Sequence, residues 1–238
     1  MTTVGTEVLD NPAWVALHGP HARFARTYGL AARYDPDVAP FHALADVADP
    51  QAWADLARLV GPGGSADVAG GPLVAFPGWT VVSTGTGVQL VGLTSRGAAD
   101  PSLLRLGPAD VPDMLDLIAL TRPGPFRRRT VELGRYLGIR SQGTLIALAG
   151  ERLHPAGWTE ISAVCTHPAW RGRGLATRLV RAVAHGIRAR DETPFLHAAA
   201  TNTNAIRLYE HLGFSLRREV TFGHYRADQS SSSDRVAS

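Results

Sequence analysis

Lysine is absent from this chain. All 24 basic residues are arginine, which excludes the nucleotide-hydrolase phosphate loop, whose Gly-x-x-x-x-Gly-Lys-Ser/Thr pattern needs a lysine to reach the phosphates. A coding bias explains the arginine preference as well as any function does. Cysteine is nearly absent too: Cys165 stands alone, so no internal disulfide and no cysteine-built metal site can form. The nine histidines show no His-x-His or His-x-x-x-His spacing, and no metal is expected. Long apolar runs are missing, none approaching the roughly 20 residues of a membrane span. The opening stretch "MTTVGTEVLDNPAW" lacks the basic-then-apolar design of a secretory signal. The expectation is a cytoplasmic protein with no membrane partner.

What is present is a globular share of apolar residues, 45% of 238, enough for one large domain or two small ones with real cores. Charge is uneven. Residues 1–100 carry five arginines against nine acids, and residues 101–238 carry nineteen arginines against twelve acids. A basic second half suits an anionic ligand: a nucleotide, a phosphate or a nucleic acid. For nucleic acid the supporting signs are lacking, since aromatic and basic residues do not interleave and no helix-turn-helix or RNA-binding motif occurs.

Two early helices announce themselves by a capping residue followed by proline: Asn11 with Pro12, and Asp49 with Pro50. The second presents Trp53, Leu56, Ala57 and Val60 on one face and ends at Gly61. "GPGGSADVAGG" reads as a flexible loop, and "PLVAFP", "WTVVSTG" and "GVQLVGLT" read as strands. "SRGAADPS" (95–102) reads as a linker and coincides with the change in charge. Beyond it, "LLRL" is a strand and "ADVPDMLDLIALT" an amphipathic helix, followed by a basic loop "RPGPFRRRT". "TLIALAGERL", "TEISAVCT" and "PFLHAAA" are strands, with a long helix at 172–190 between the last two. A shorter helix ends at Gly213, "SLRREVTFGHYRA" closes as a strand or hairpin, and residues 227–238 form a polar tail. Strand–helix alternation with hairpins predicts a mixed α/β sheet.

"ISAVCTHPAWRGRGLATRL" places a strand, a tight turn and a helix start in succession. The first turn of a helix leaves N–H groups unpaired, and its dipole favours an anion there. Gly172 and Gly174 would let a pyrophosphate approach the backbone, and Arg171 and Arg173 would add charge-assisted hydrogen bonds. The dinucleotide fingerprint does not fit, because Ala176, Thr177 and Arg178 stand where its third glycine would be.

The block "V-x-T-H-P-x-x-R-G-R-G-L-A" from Val164 to Ala176, followed by "N-T-N-A-I-R-L-Y-E-H-L-G-F" from Asn202 to Phe214, resembles the paired signatures of the GNAT superfamily of N-acetyltransferases. Within it the resemblance is nearest to the branch of glycine N-acyltransferases. The likeness covers residues 101–226, while residues 1–100 carry no recognised motif. It implies an α/β (α+β) fold: a mixed, mostly antiparallel sheet with helices on both faces and a splayed central strand pair, preceded by an N-terminal α/β half. It also implies acetyl-CoA as co-substrate, a small-molecule amine acceptor, and direct transfer in a ternary complex. Backbone groups of Val164, Cys165 and Thr166 would hold the pantetheine arm. Arg171, Gly172, Arg173, Gly174, Leu175, Ala176 and Thr177 would cradle the pyrophosphate, and Asn202 would contact the cofactor. Ala176 departs from the pattern, since many members carry glycine there.

Tyr209 aligns with the family's general acid, which would protonate the departing thiolate; otherwise it packs the helix on the sheet. Two residues are candidates for the base that relieves the incoming amine of its proton. Glu160, on the strand entering the motif, is preferred; its alternative role is a structural ion pair with an arginine of the 127–129 cluster. His197 is the second, with a buried core histidine as its alternative. Arg127, Arg128 and Arg129 could bind an acceptor carboxylate or a phosphate, or remain a solvated loop. Cys165 is expected to be a buried small side chain rather than a nucleophile. Residues 1–100 fit three roles: a degenerate transferase-like half, a lid, or a surface for a homodimer. A non-catalytic acyl-CoA-binding module is the competing reading of the whole.

Overall fold

Asn11 and Asp49 do start helices. In the computed structural model, which describes residues 5–72 and 76–229, Asn11 Oδ1 accepts from the Trp14 N–H at the head of α1 (Pro12–Leu17). Asp49 Oδ1 accepts from the Gln51 N–H at 2.8 Å, starting α2 (Pro50–Val60). The prolines occupy positions whose N–H would have no helical partner, so both helices begin without loss. The remaining α-helices among the described residues are α3 (Val111–Thr121), α4 (Leu175–Arg188) and α5 (Thr203–His211).

The strands are β1 (Ala25–Tyr28), β2 (Ala31–Tyr34), β3 (Phe41–Leu44), β4 (Ser65–Ala69), β5 (Trp79–Val91), β6 (Leu104–Leu106), β7 (Tyr136–Ser141), β8 (Thr144–Glu151), β9 (Trp158–Thr166), β10 (Thr193–Ala199) and β11 (Ser215–Ala227). They form one 11-stranded sheet in the order β1-β2-β3-β4-β11-β5-β10-β9-β8-β7-β6. Among the described residues only β3–β4 and β9–β10 run parallel, and each of these pairs is joined through a helix, α2 and α4 respectively. The sheet is therefore mixed and mostly antiparallel, as expected.

Alternation along β8 explains why helices cover both faces. Ala147 and Ala149 pack with Leu179, Val183 and Ile187 of α4, while Leu148 between them packs with Met114 and Leu117 of α3. Successive strand residues point to opposite faces, so α3 and α4 lie on opposite sides.

The strands that follow each parallel unit cross over. β5 comes after the first unit in the chain but pairs with β10 of the second, and β11 comes after the second but pairs with β4 of the first. β5 and β11 also pair with each other along nearly their whole lengths. The sheet thus runs on through residues supplied from both sides of the 95–102 linker.

Two local expectations change, and one strand had no expectation. "GPGGSADVAGG" is not all loop: Ser65–Ala69 forms β4, with Ala66 and Val68 buried, because tertiary pairing with β11 outweighs the flanking glycines. "WTVVSTG" and "GVQLVGLT" join as the single strand β5, which carries its central glycines because both neighbours hold its backbone. β7 had no apolar alternation to reveal it. Its Gly138 faces inward, where a Cβ would sit 2.8 Å from Leu106 Cδ1 and Leu145 Cδ1. "PLVAFP" lies partly outside the described residues, as does the tail from residue 230.

Candidate active site

β9 and β10 pair from Trp158↔Thr193 to Ile161↔Leu196 and then part. Ser162–Thr166 and His197–Ala199 run on without pairing to each other, while β10 stays paired with β5 as far as Ala199↔Gly87. A bulge drives the parting. The register of β9 on β8 slips between Leu148↔Cys165 and Gly150↔Ser162, so that Ala163 and Val164 stand opposite Ala149. Ala163 takes a left-handed backbone, φ 55°, which bends the strand away from its partner. The β10-facing edge of β9 past Ile161, the stretch that includes Val164, Cys165 and Thr166, is left able to accept a strand-like ligand. Thr166 Oγ1 is buried without a hydrogen-bond partner among the described residues.

The turn after β9 ends in an open helix start. Gly172 and Gly174 have φ of 76° and 72°, and Gly174 precedes α4 without any side-chain cap. A Cβ at either glycine would meet nothing within 4 Å. Glycine is required by the left-handed backbone rather than by crowding within the protein. The first-turn N–H groups of Leu175, Ala176 and Thr177 face outward from a half-buried position. Arg171 Nε donates to the Thr166 carbonyl at 3.3 Å, and Arg173 lies 4.6 Å over the Trp170 ring. Both guanidinium groups therefore stay beside the turn with donors to spare. These residues fit the phosphates of an acyl-CoA.

Asn202 Oδ1 caps α5 by accepting from Ala205 N–H at 3.2 Å, so its side chain is already engaged in shaping the helix. Tyr209, on that helix, is 7% exposed and packs edge-on against Phe214. Burial pushes its hydroxyl up to about 12, which keeps it protonated at neutral pH, the state a proton donor needs. Cys165 is buried, and burial pushes its thiol up as well; a protonated thiol in that setting is not a nucleophile.

The two base candidates turn out to touch. His197 Nδ1 lies 2.7 Å from Glu160 Oε1. Glu160 is fully buried and held bidentately by Arg152, Nε to Oε2 at 2.7 Å and Nη2 to Oε1 at 2.6 Å. Burial alone would raise its carboxyl, but the charge and hydrogen bonds of Arg152, helped by His197, outweigh it and hold the group well below the usual carboxylate range. The partner in this ion pair is Arg152, not an arginine of the 127–129 cluster. That cluster is divided. Arg128 binds Asp37, and Arg129 binds Asp35 and Glu132. Arg127, by contrast, lines a cleft of about 370 Å³ together with Pro40, Asp67, Ile118, Arg122 and Phe126.

Arg152, Gln89 and Arg217 join this centre without any motif to announce them. Gln89, on β5, sits 3.1 Å from His197 Nε2 and takes a hydrogen bond from Arg217. One indirect signal existed: a glutamate inside an apolar strand must find a cation. Among the described residues no group of His, Cys, Asp and Glu could hold a metal ion, and no helix is long and apolar enough to cross a membrane.

A parallel strand pair that parts beside an uncapped, arginine-flanked helix start defines the acyl-CoA-dependent transferase fold of the GNAT type. Comparison with known proteins agrees. The family model described as FR47-like protein matches residues 136–222. The crystal structure of a putative GNAT-family acetyltransferase from Novosphingobium aromaticivorans is 39% identical, covers 94% of this chain and 99% of its own, and superposes with a TM-score of 0.84. The chain belongs to the GNAT family. The N-alpha-acetyltransferase RimI of Mycobacterium tuberculosis is 34% identical over 96 residues, which are 39% of this chain and 60% of that protein. A GCN5-related N-acetyltransferase from Kribbella flavida shares the fold at 17% identity, covering 91% of this chain and 95% of its own with a TM-score of 0.63.

Proposed function

We propose that the protein transfers an acetyl group from acetyl-CoA to the amine of a small, amino-acid-like acceptor, within a ternary complex. The observation that carries this reading is the parting of β9 and β10 beside the open start of α4. The pantetheine arm lies along β9 at Val164, Cys165 and Thr166, and the pyrophosphate rests on Arg171 to Thr177, with Asn202 at the head of α5 beside it. The amine nitrogen attacks the thioester carbonyl carbon, the carbon–sulfur bond breaks, and Tyr209 gives its proton to the departing thiolate, to be restored by the proton that the nitrogen sheds as the amide forms. Glu160 is shut away behind Arg152, and both ring nitrogens of His197 are engaged. In this reading they shape the point where the strands part, and the ammonium proton leaves to water.

The acceptor enters by the cleft that residues of both segments line, where Arg122 and Arg127 form no salt bridge with any described residue and can meet a carboxylate. An acceptor with that group accords with the sequence likeness to glycine N-acyltransferases. Eight of the described arginines, including Arg128, Arg140, Arg178 and Arg217, are paired with acids of the same chain.

Thiol release from acetyl-CoA, measured against a panel of amino acids, polyamines, aminoglycosides and peptide N-termini, tests the reading. Turnover with an amino-acid-like acceptor is expected. Tight acetyl-CoA binding with no thiol released against any amine would make the protein a non-catalytic acyl-CoA-binding module instead.

A further inference from the structure

Gln89 belongs to the first hundred residues, yet it lies at the centre of the second segment's site. On β5 it is the register partner of His197 on β10, and its side chain is 1% exposed. A buried primary amide has two donors and one acceptor oxygen to satisfy. Here Nε2 donates to the Leu9 carbonyl at 2.9 Å and lies 3.1 Å from His197 Nε2, while Oε1 accepts from Arg217 at 2.9 Å. Turning the amide over would set oxygen against the Leu9 carbonyl and nitrogen against a guanidinium. Only one orientation meets all three partners.

The orientation of Gln89 decides that of its neighbour. With an amide N–H aimed at it, His197 Nε2 must accept, so the ring proton sits on Nδ1 and is donated to Glu160 Oε1. Arg217 is itself aimed by the fold. It is the extra residue of a bulge where β11 passes β5, between Leu216↔Leu90 and Arg218↔Gln89, and Asp10 holds its other end at 2.6 Å. A continuous chain runs from Asp10 through Arg217, Gln89, His197 and Glu160 to Arg152. His197 is the first residue of β10 beyond the last pair with β9, so its ring stands at the point of divergence.

We propose that Gln89 is a positioning residue for the transferase site: it fixes His197 as the Nδ1–H tautomer, with the ring locked where β9 and β10 part. The first segment thereby completes the site whose motifs all lie in the second. The effect on turnover rests on the transferase reading, whereas the tautomer does not.

Nitrogen-15 spectra of the histidine rings in the full-length protein, with His197 assigned by substitution, read the tautomer without any acceptor. The expected pattern at neutral pH is a protonated Nδ1 and an unprotonated Nε2. Gln89→Glu keeps the oxygen that Arg217 binds but replaces the donor facing His197 with an acceptor, so Nε2 should become protonated. Gln89→Met, which offers no donor, should lower kcat by about tenfold or more while acetyl-CoA affinity stays within about twofold. A wild-type ring protonated on Nε2, or a ring pattern unchanged in Gln89→Glu, would overturn the assignment. A failed thiol-release panel overturns only the transferase reading, because the spectra need no turnover.

Discussion

The unit β3–α2–β4 and the unit β9–α4–β10 have the same topology, two parallel strands joined through a helix, but they treat the helix start oppositely. At α2 the start is closed: the Asp49 carboxylate accepts from the first-turn N–H of Gln51 and Pro50 removes one donor. At α4 it is open, with a left-handed glycine in the capping position, no side-chain cap, and arginines at 171 and 173. The strand gaps differ in the same sense. In the first unit the His42 ring accepts from the Asp67 N–H at 3.2 Å, filling the space beside β4 with a side chain. In the second, the backbone of β9 beyond Ile161 has no such plug. One topology thus serves as scaffold or as ligand site, according to whether a few side chains consume the backbone's free donors.

The largest expected effect separates the units by pH. Burial lowers His21 and His42, both in the first segment, to about 4, and it also lowers His154 of the second segment, whose ring packs against His21. The unfolded chain takes up protons near the ordinary value of about 6.5, and the folded chain resists them until about 4, so stability is lost as pH falls through that window. The loss is on the order of 3 kcal/mol for each of His21 and His42. Hydrogen exchange between pH 7 and pH 4 should show β2, β3 and α2 opening before α4; simultaneous opening would remove the distinction. Next in size, Gly174→Asp puts a carboxylate at the start of α4, on a left-handed backbone that a side chain strains. Acetyl-CoA affinity by calorimetry should fall on the order of 100-fold, since a carboxylate then competes with the pyrophosphate for the same N–H groups. Unchanged affinity would refute the role of the turn.

Tyr209→Phe should lower kcat by about tenfold or more with little change in acetyl-CoA affinity; equal turnover would reject the acid role. The smallest effect is the control. Asp49→Ala should cost about 1 kcal/mol in a denaturant melt and leave acetyl-CoA binding untouched. An effect on binding would mean that the first unit does more than support the second.

Much of this contrast was legible in the residues. Asp49–Pro50 and Arg171–Gly174 are local signals, each acting within one turn of backbone, and both helix starts lie where those residues place them. The apolar strands β8 to β10 were readable for the same reason. β4 and β7 were not, because glycines flank the first and interrupt the second, and neighbouring strands hold both in place. The site divided along the same line. The turn and Tyr209 stand within contiguous motifs, whereas Arg152, Gln89 and Arg217 meet Glu160 and His197 only through register across β5, β10 and β11. The arginines of "RPGPFRRRT" formed a cluster in the sequence, but their acidic partners at Asp35 and Asp37 lie far away in the chain.

The sequence by itself determined the helix starts, the inward faces of the central strands and the phosphate-binding turn, because caps, periodicity and left-handed glycines act over a few residues. Tertiary structure alone decided that β5 and β11 exchange places between the two units, that Glu160 is sealed by Arg152, and that Gln89 from the first segment reaches His197 in the second. Those outcomes depend on which strands lie side by side. A buried charge or amide takes whichever partner the sheet order brings within hydrogen-bonding distance, and no local pattern of residues records that choice.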